Sequence, residues 1–157
     1  MKTKSQPVAS IASVQPAFWD TSAVIPLCAL QPQSRRARQT ARHYPKQVVW
    51  WLTSVEAYSS LSRLAREGYL SAKESLLAFK ALHTLRRRWH EIQPIDEVRD
   101  VAERVLRTHK LRAADALQLA SALIWCGNRP RSRVFVCADL GLSQAAEVEG
   151  FSAIHLA

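Results

Sequence analysis

Three short stretches of this chain, AFW, QVVWWLTS and SRVFVCAD, concentrate β-branched and aromatic residues, and each predicts a buried strand. Between them the apolar spacing becomes helical. AFW runs into a helix at DTSAVI, with Asp20 at the junction and Pro26 and Pro32 limiting the helix. The basic segment Gln31–Lys46 predicts a helix around Arg35–His43. Ser54 is placed to cap VEAYSSLSRLAREG, which Gly68 closes. Ser71 opens a helix whose Leu77, Ala81, Leu85 and Trp89 fall on one stripe, with Lys73, Lys80 and Arg87 off it. HEIQPID is short and extended. Asp96 is placed to cap EVRDVAERVLRTHK, with Val98, Val101, Val105 and Leu106 as its apolar side. LRAADALQLASALIWCG is a nearly all-apolar helix ended by Gly127, and such a helix belongs inside. LSQAAEVEG predicts a last helix and FSAIHLA a last edge strand. Strands alternating with helices in this way predict an α/β fold, a parallel sheet with helices on both faces.

The 157 residues suit one domain, with 17–157 as the folded unit and 1–16 as a flexible tail. The first 16 residues lack a continuous apolar core and a small-residue cleavage site, so a signal peptide is not expected. No apolar run approaches a membrane span of roughly 20 residues. Cys28, Cys126 and Cys137 are odd in number, sit in apolar surroundings and form no C-x-x-C pair. They are expected as buried free thiols in a reducing cytoplasm. The net charge of +9 and pI near 10.1 point to a polyanionic or acidic partner. Cations gather at Arg35–Lys46, Arg86–Arg88, Arg104–Arg112 and Arg129–Arg133, which favours nucleic acid.

Against that background the acids stand out. Asp20 and Glu56 are the only carboxylates in the first 66 positions, and Asp115 and Asp139 the only ones between Glu103 and Glu147. Each lies in or beside an apolar run, where unpaired charge is costly. Taken singly, each has an ordinary explanation. Asp20 and Asp139 follow strands and suit N-caps, Glu56 suits a helix dipole, and Arg112 is spaced to pair with Asp115. Taken together, they fall where the carboxyl ends of parallel strands would bring them to one rim. Two carboxylates about 4 Å apart repel by about 4 kcal/mol at an effective dielectric near 20, so such a cluster calls for a counter-charge. An oxygen-only donor set suits Mg²⁺, or Mn²⁺ in its place, and no histidine pair has zinc spacing. Carboxylate-held Mg²⁺ beside a basic surface is equipment for phosphodiester hydrolysis. There is no glycine-rich phosphate loop and no G-x-S-x-G, which removes nucleotide cradling and a serine triad from consideration.

The motifs WDTSAVIPL, TSVEAYSSLSRLAREG, LRAADALQLASAL and FVCADLGLSQAAEVEGF, in this order, resemble the PIN-domain ribonucleases. Within them they resemble the VapC toxins of type II toxin–antitoxin pairs. The resemblance runs from about Ala17 to the C-terminus. It implies a three-layer α/β/α sandwich with a central, mainly parallel sheet. It implies that Asp20, Glu56, Asp115 and Asp139 are the catalytic and metal-binding quartet, with Thr21 and Ser22 supporting the first acid. It further implies an endoribonuclease acting on tRNA or rRNA, a cognate antitoxin that blocks the acidic groove, and a homodimer. The regions around Tyr58–Tyr69 and Trp89 are candidates for dimer or antitoxin contacts, or for ordinary core. One departure concerns the fourth acid: Cys137 stands where the family often has Thr or Ser, and Gly141 where a charged residue is common.

Two other functions fit parts of the pattern. One is a catalytically inactive RNA- or protein-binding module with the same fold. The other is a receiver-like phosphotransfer domain, which wants paired acids after the first strand, whereas Asp20 stands alone.

Overall fold

The structure is a computed structural model and describes residues 14–157; the expected tail lies outside the described residues as far as residue 13. Strands β1 (Ala17–Trp19), β2 (Gln47–Trp50), β3 (His90–Ile92), β4 (Val134–Cys137) and β5 (Ser152–His155) form one sheet in the order β3-β2-β1-β4-β5. Every pairing is parallel, with Phe18 opposite Val48 on one side and Phe135 on the other. Helices α1 (Thr21–Cys28), α2 (Ser34–His43), α3 (Thr53–Arg66) and α4 (Ala72–Arg86) cover one face. Helices α5 (Asp96–Thr108), α6 (Ala113–Trp125) and α7 (Leu140–Glu149) cover the other. This is the expected three-layer α/β/α sandwich.

The strands are buried on both sides because successive residues feed opposite cores. Ala17, Trp19, Val49, Val134 and Val136 pack toward α1–α4, whereas Phe18, Val48, Trp50, Phe135 and Cys137 pack toward α5–α7. Phe18 stacks on Phe135 at 5.3 Å between ring centroids, and Phe135 meets Phe151 at 5.6 Å. The two connections before β3 cross one face and the two after it cross the other. The switch therefore falls between β1 and β4. Open parallel sheets have their crevice at such a point, beyond the carboxyl ends of the strands.

Several local expectations are corrected. Pro26 lies inside α1 instead of ending it. Its missing N–H removes one bond only, and the helix closes three residues later with the Ala29 N–H on the Ile25 carbonyl at 3.0 Å. Ser54 is not the cap of α3: Leu52 holds that position without a side-chain bond, and Ser54 is buried in the first turn. Asp96 is likewise the first residue of α5 and not its cap, paired with Arg99. On α4 the buried positions are Ala78 and Leu82, while Leu77 is exposed, because the helix is rotated by about one position from the predicted stripe. Leu106 is also exposed. Trp89 lies beyond α4, half-buried, with its indole N–H donating to Gln47 Oε1 at 2.9 Å, which makes it part of the packing. Cys137 is buried and Cys28 and Cys126 are partly so, all three free, and burial pushes the Cys28 and Cys137 thiols up to about 12.

Gly150 ends α7 with φ 110°, and a Cβ there would lie 3.1 Å from Pro130 Cγ. Gly150→Ala is expected to cost about 1–3 kcal/mol through the left-handed backbone and that contact. A urea midpoint equal to that of the wild type would contradict this.

Candidate active site

Asp20 follows β1 directly and caps α1. Its Oδ2 accepts from the Ser22 backbone N–H at 2.9 Å and from the Ser22 hydroxyl. Ser22 Oγ also accepts from the Ala138 N–H at 2.8 Å, which ties the start of α1 to the end of β4 across the switch point. Asp139 caps α7, its Oδ1 accepting from the Leu142 N–H at 2.7 Å. The capping explanation thus holds for both, but in each case the cap bonds fall on one oxygen only. The Cys137 thiol donates to the Asp139 carbonyl at 3.4 Å, so this turn keeps a side-chain donor.

Glu56 sits in the first turn of α3 and is half-buried. Its Oε2 receives the Thr21 hydroxyl at 2.6 Å and the Gln118 amide at 2.9 Å. Asp115 lies in the first turn of α6, also half-buried, and forms no close ion pair with Arg112. All four acids, with Thr21 and Ser22, line one open cavity of about 1160 Å³ at the carboxyl end of the sheet. Arg63, Lys110 and Arg112 line it as well.

The electrostatics at Asp20 and Asp115 are set first by burial and then by neighbouring charges. Burial lifts the Asp20 carboxyl to about 6; the Ser22 bonds oppose this, and Glu56 and Asp115 add to it. Burial also lifts Asp115, helped by Asp139 and opposed by the backbone and charge of Arg112. Among the described residues no three His, Cys, Asp or Glu side chains are gathered tightly enough to hold one ion by themselves. A Mg²⁺ ion there would take one or two of the carboxylates directly and keep several waters. Among the described residues no imidazole or thiol lines the cavity, so the donor set fits a hard divalent ion.

Three contributors were not singled out from the sequence. Gln118 is buried within α6, three residues from Asp115 on the same helical face, so a polar residue in an apolar run was its signal. Arg63 is two turns from Glu56 on α3, a spacing that puts both on one side. Glu149 accepts Arg104 in two bonds of 3.0 Å and meets His109 Nε2 at 2.7 Å. Arg104, then His109, hold that carboxyl below its usual range. The cluster pins the end of α5 to α7 just before the Lys110–Arg112 loop, and no sequence spacing signals a pair 45 residues apart.

Comparison with known proteins agrees with this architecture. PAE2754 from Pyrobaculum aerophilum has a similar fold, with TM-score 0.60, 23% identity and 92% of each chain covered. FitAcB from Neisseria gonorrhoeae gives 0.60 at 17% identity, covering 87% of this chain and 96% of the other. A toxin-antitoxin complex from Klebsiella pneumoniae gives 0.54 at 18% identity, covering 78% and 86%. No curated protein matches the chain. The PIN domain model matches residues 17–125, a span holding Asp20, Glu56 and Asp115 and stopping short of Asp139. With that match over most of its length, the chain belongs to the PIN domain family.

Proposed function

We propose that this protein is the toxic component of a type II toxin–antitoxin pair, a Mg²⁺-dependent endoribonuclease acting on RNA of the tRNA or rRNA class and neutralised by a cognate antitoxin. The observation that carries it is one cavity lined by Asp20, Glu56, Asp115 and Asp139 and also by Arg63, Lys110 and Arg112. Such a mixture holds a cation and a phosphodiester side by side. Membership of the PIN family supports nuclease chemistry, and the Klebsiella complex supports an antitoxin partner. A homodimer remains part of the proposal. Among the described residues no helix is long and apolar enough to cross a membrane.

Asp20, Glu56, Asp115 and Asp139 would hold the ion, with Mn²⁺ able to replace Mg²⁺. Bound there, the ion supplies activation of a water and neutralisation of charge on the phosphodiester. The chain's own contribution is placement. Ser22 fixes Asp20 by two bonds, and Thr21 fixes Glu56. Lys110 and Arg63, exposed at the cavity, hold the RNA backbone. The test is incubation of the purified protein with cellular RNA, with Mg²⁺ or EDTA, followed by 5′-end mapping. Discrete cuts that require the metal are expected, and intact RNA with Mg²⁺ and Mn²⁺ would reject the enzyme.

The loose spacing of the acids favours a second reading, a catalytically inactive RNA-binding module. It predicts binding without cuts. Under either reading, replacing both Arg63 and Lys110 by Ala should flatten the salt dependence of single-stranded RNA binding. Each lost phosphate contact removes roughly 0.7 from the slope of log K against log salt, about 1.4 in all. Filter binding between about 50 and 200 mM salt measures it, and an unchanged slope would remove these two side chains from the RNA path.

A further inference from the structure

Two polar side chains are buried in α6, and they are satisfied differently. Ser121 is bonded within its own helix, its hydroxyl donating to the Leu117 carbonyl at 2.7 Å. Gln118, 1% exposed, instead reaches past the carboxyl ends of the strands into the opposite helical layer. Its Nε2 lies 2.9 Å from Thr21 Oγ1, 2.9 Å from Glu56 Oε2 and 3.2 Å from Thr53 Oγ1. One amide group, with two hydrogens, thus links the starts of α1 and α3 to α6. The orientation is forced: a carbonyl turned toward the Glu56 carboxylate would set acceptor against acceptor. Gln118 Oε1 has no partner among the described residues.

This arrangement satisfies the amide's nitrogen and not its oxygen. A buried unpaired carbonyl carries an unsatisfied-group penalty. Leu or Met would fill similar volume without it, but would take the amide donor from Thr53 and Glu56. What the amide achieves is placement of Glu56. Gln118 and Thr21 both donate to Oε2, so the carboxylate is held by one oxygen while the residue still lines the cavity.

We infer that Gln118 is a positioning residue, which holds Glu56 and the Thr21 hydroxyl in the geometry that receives the divalent ion. It acts through Glu56 and touches neither ion nor RNA. The inference rests on the proposed metal site, but not on RNA being the substrate. Side chains that orient a metal ligand typically contribute 10–100-fold to affinity or activity.

The experiment compares full-length wild type, Gln118→Leu and Gln118→Met by Mn²⁺ titration calorimetry, thermal unfolding in EDTA, and RNA cleavage kinetics. The expected result is cooperative metal-free unfolding at a Tm close to wild type, since the orphan carbonyl removed offsets the donor bonds lost. Mn²⁺ affinity should be about 10–100-fold weaker, and kcat at limiting metal lowered in the same measure. KM for RNA should stay within about twofold, since ground-state contacts to RNA are untouched. Wild-type Mn²⁺ affinity in folded variants would overturn the inference. Failure of both variants to fold would assign Gln118 to the core and overturn it too. A wild type that binds Mn²⁺ but cuts no RNA, with binding weakened in the variants, supports Gln118's role while rejecting the ribonuclease. A wild type that binds no Mn²⁺ rejects both.

Discussion

Replacing Asp20 by Asn is expected to abolish metal-dependent cleavage, by at least about 100-fold, while making the metal-free protein more stable at neutral pH. The first effect follows from removing the proposed charged ligand that Ser22 fixes at the rim. The second follows from where the Asp20 carboxyl titrates. It does so near 3.8 in a solvated chain and at about 6 in the fold, chiefly because of burial. Below pH 3.8 both states carry the proton and the site costs nothing. As pH rises toward 6 the unfolded chain releases its proton while the folded one retains it, so stability falls. Above 6 the loss is complete, about 2–3 kcal/mol, since each pH step between the two titration points is worth about 1.4 kcal/mol. The asparagine side chain has no proton to lose.

Calorimetry in EDTA should therefore show Asp20→Asn unfolding above the wild type at pH 7 and level with it near pH 4. A difference independent of pH would remove the electrostatic account. Adding Mg²⁺ should reverse the order at pH 7. A ligand at 1,000 times its Kd stabilises by about 4.1 kcal/mol, more than that loss, and only the wild type has all four proposed ligands. Wild-type cleavage by Asp20→Asn would defeat the proposed mechanism outright.

Phe135→Ala carries the largest expected loss of stability. Phe135 is fully buried in β4, stacked on Phe18 and in contact with Phe151 of the segment leading to β5. Removing the ring leaves a cavity between the sheet and α6–α7 that cannot collapse, because β1 and β4 are locked in register by their ladder. The expected cost is about 3–5 kcal/mol. Total stabilities run to about 5–15 kcal/mol, so the variant should lose a large share of it. Urea unfolding of Phe135→Ala beside Leu140→Ala, an exposed position, gives the comparison. A shift as small as that of the surface variant would mean that the aromatic core is looser than its geometry indicates.

The order of strands and helices could be read from composition and spacing, because those are local properties. AFW, VVW and VFVC are apolar at successive positions, which leaves buried parallel strands as their natural place. The four acids were legible for a related reason. In a chain of net charge +9, a carboxylate inside an apolar segment carries its own signal. Helix starts were less legible. Ser54 and Asp96 both have capping chemistry, yet the chain entered each helix one or two residues earlier, where packing of Leu52 and Val98 on the core sets the entry. The face of α4 also escaped, because Leu76, Leu77, Leu82 and Leu85 allow more than one apolar stripe and the partner surface selects among them.

By itself, then, the sequence determined which segments are strands and that the sheet is parallel, and it marked four acids as candidates for one site. Only the tertiary structure decided that the strand order reverses between β1 and β4. That reversal brings Asp20 and Asp139 to one crevice and lets α3 and α6 supply Glu56 and Asp115 from opposite layers. It also decided that Gln118 reaches Glu56 across 62 positions and Arg104 reaches Glu149 across 45. Such pairings depend on how layers stack. Hydrophobic periodicity describes which side of an element is buried, but not which residue of another layer it will meet.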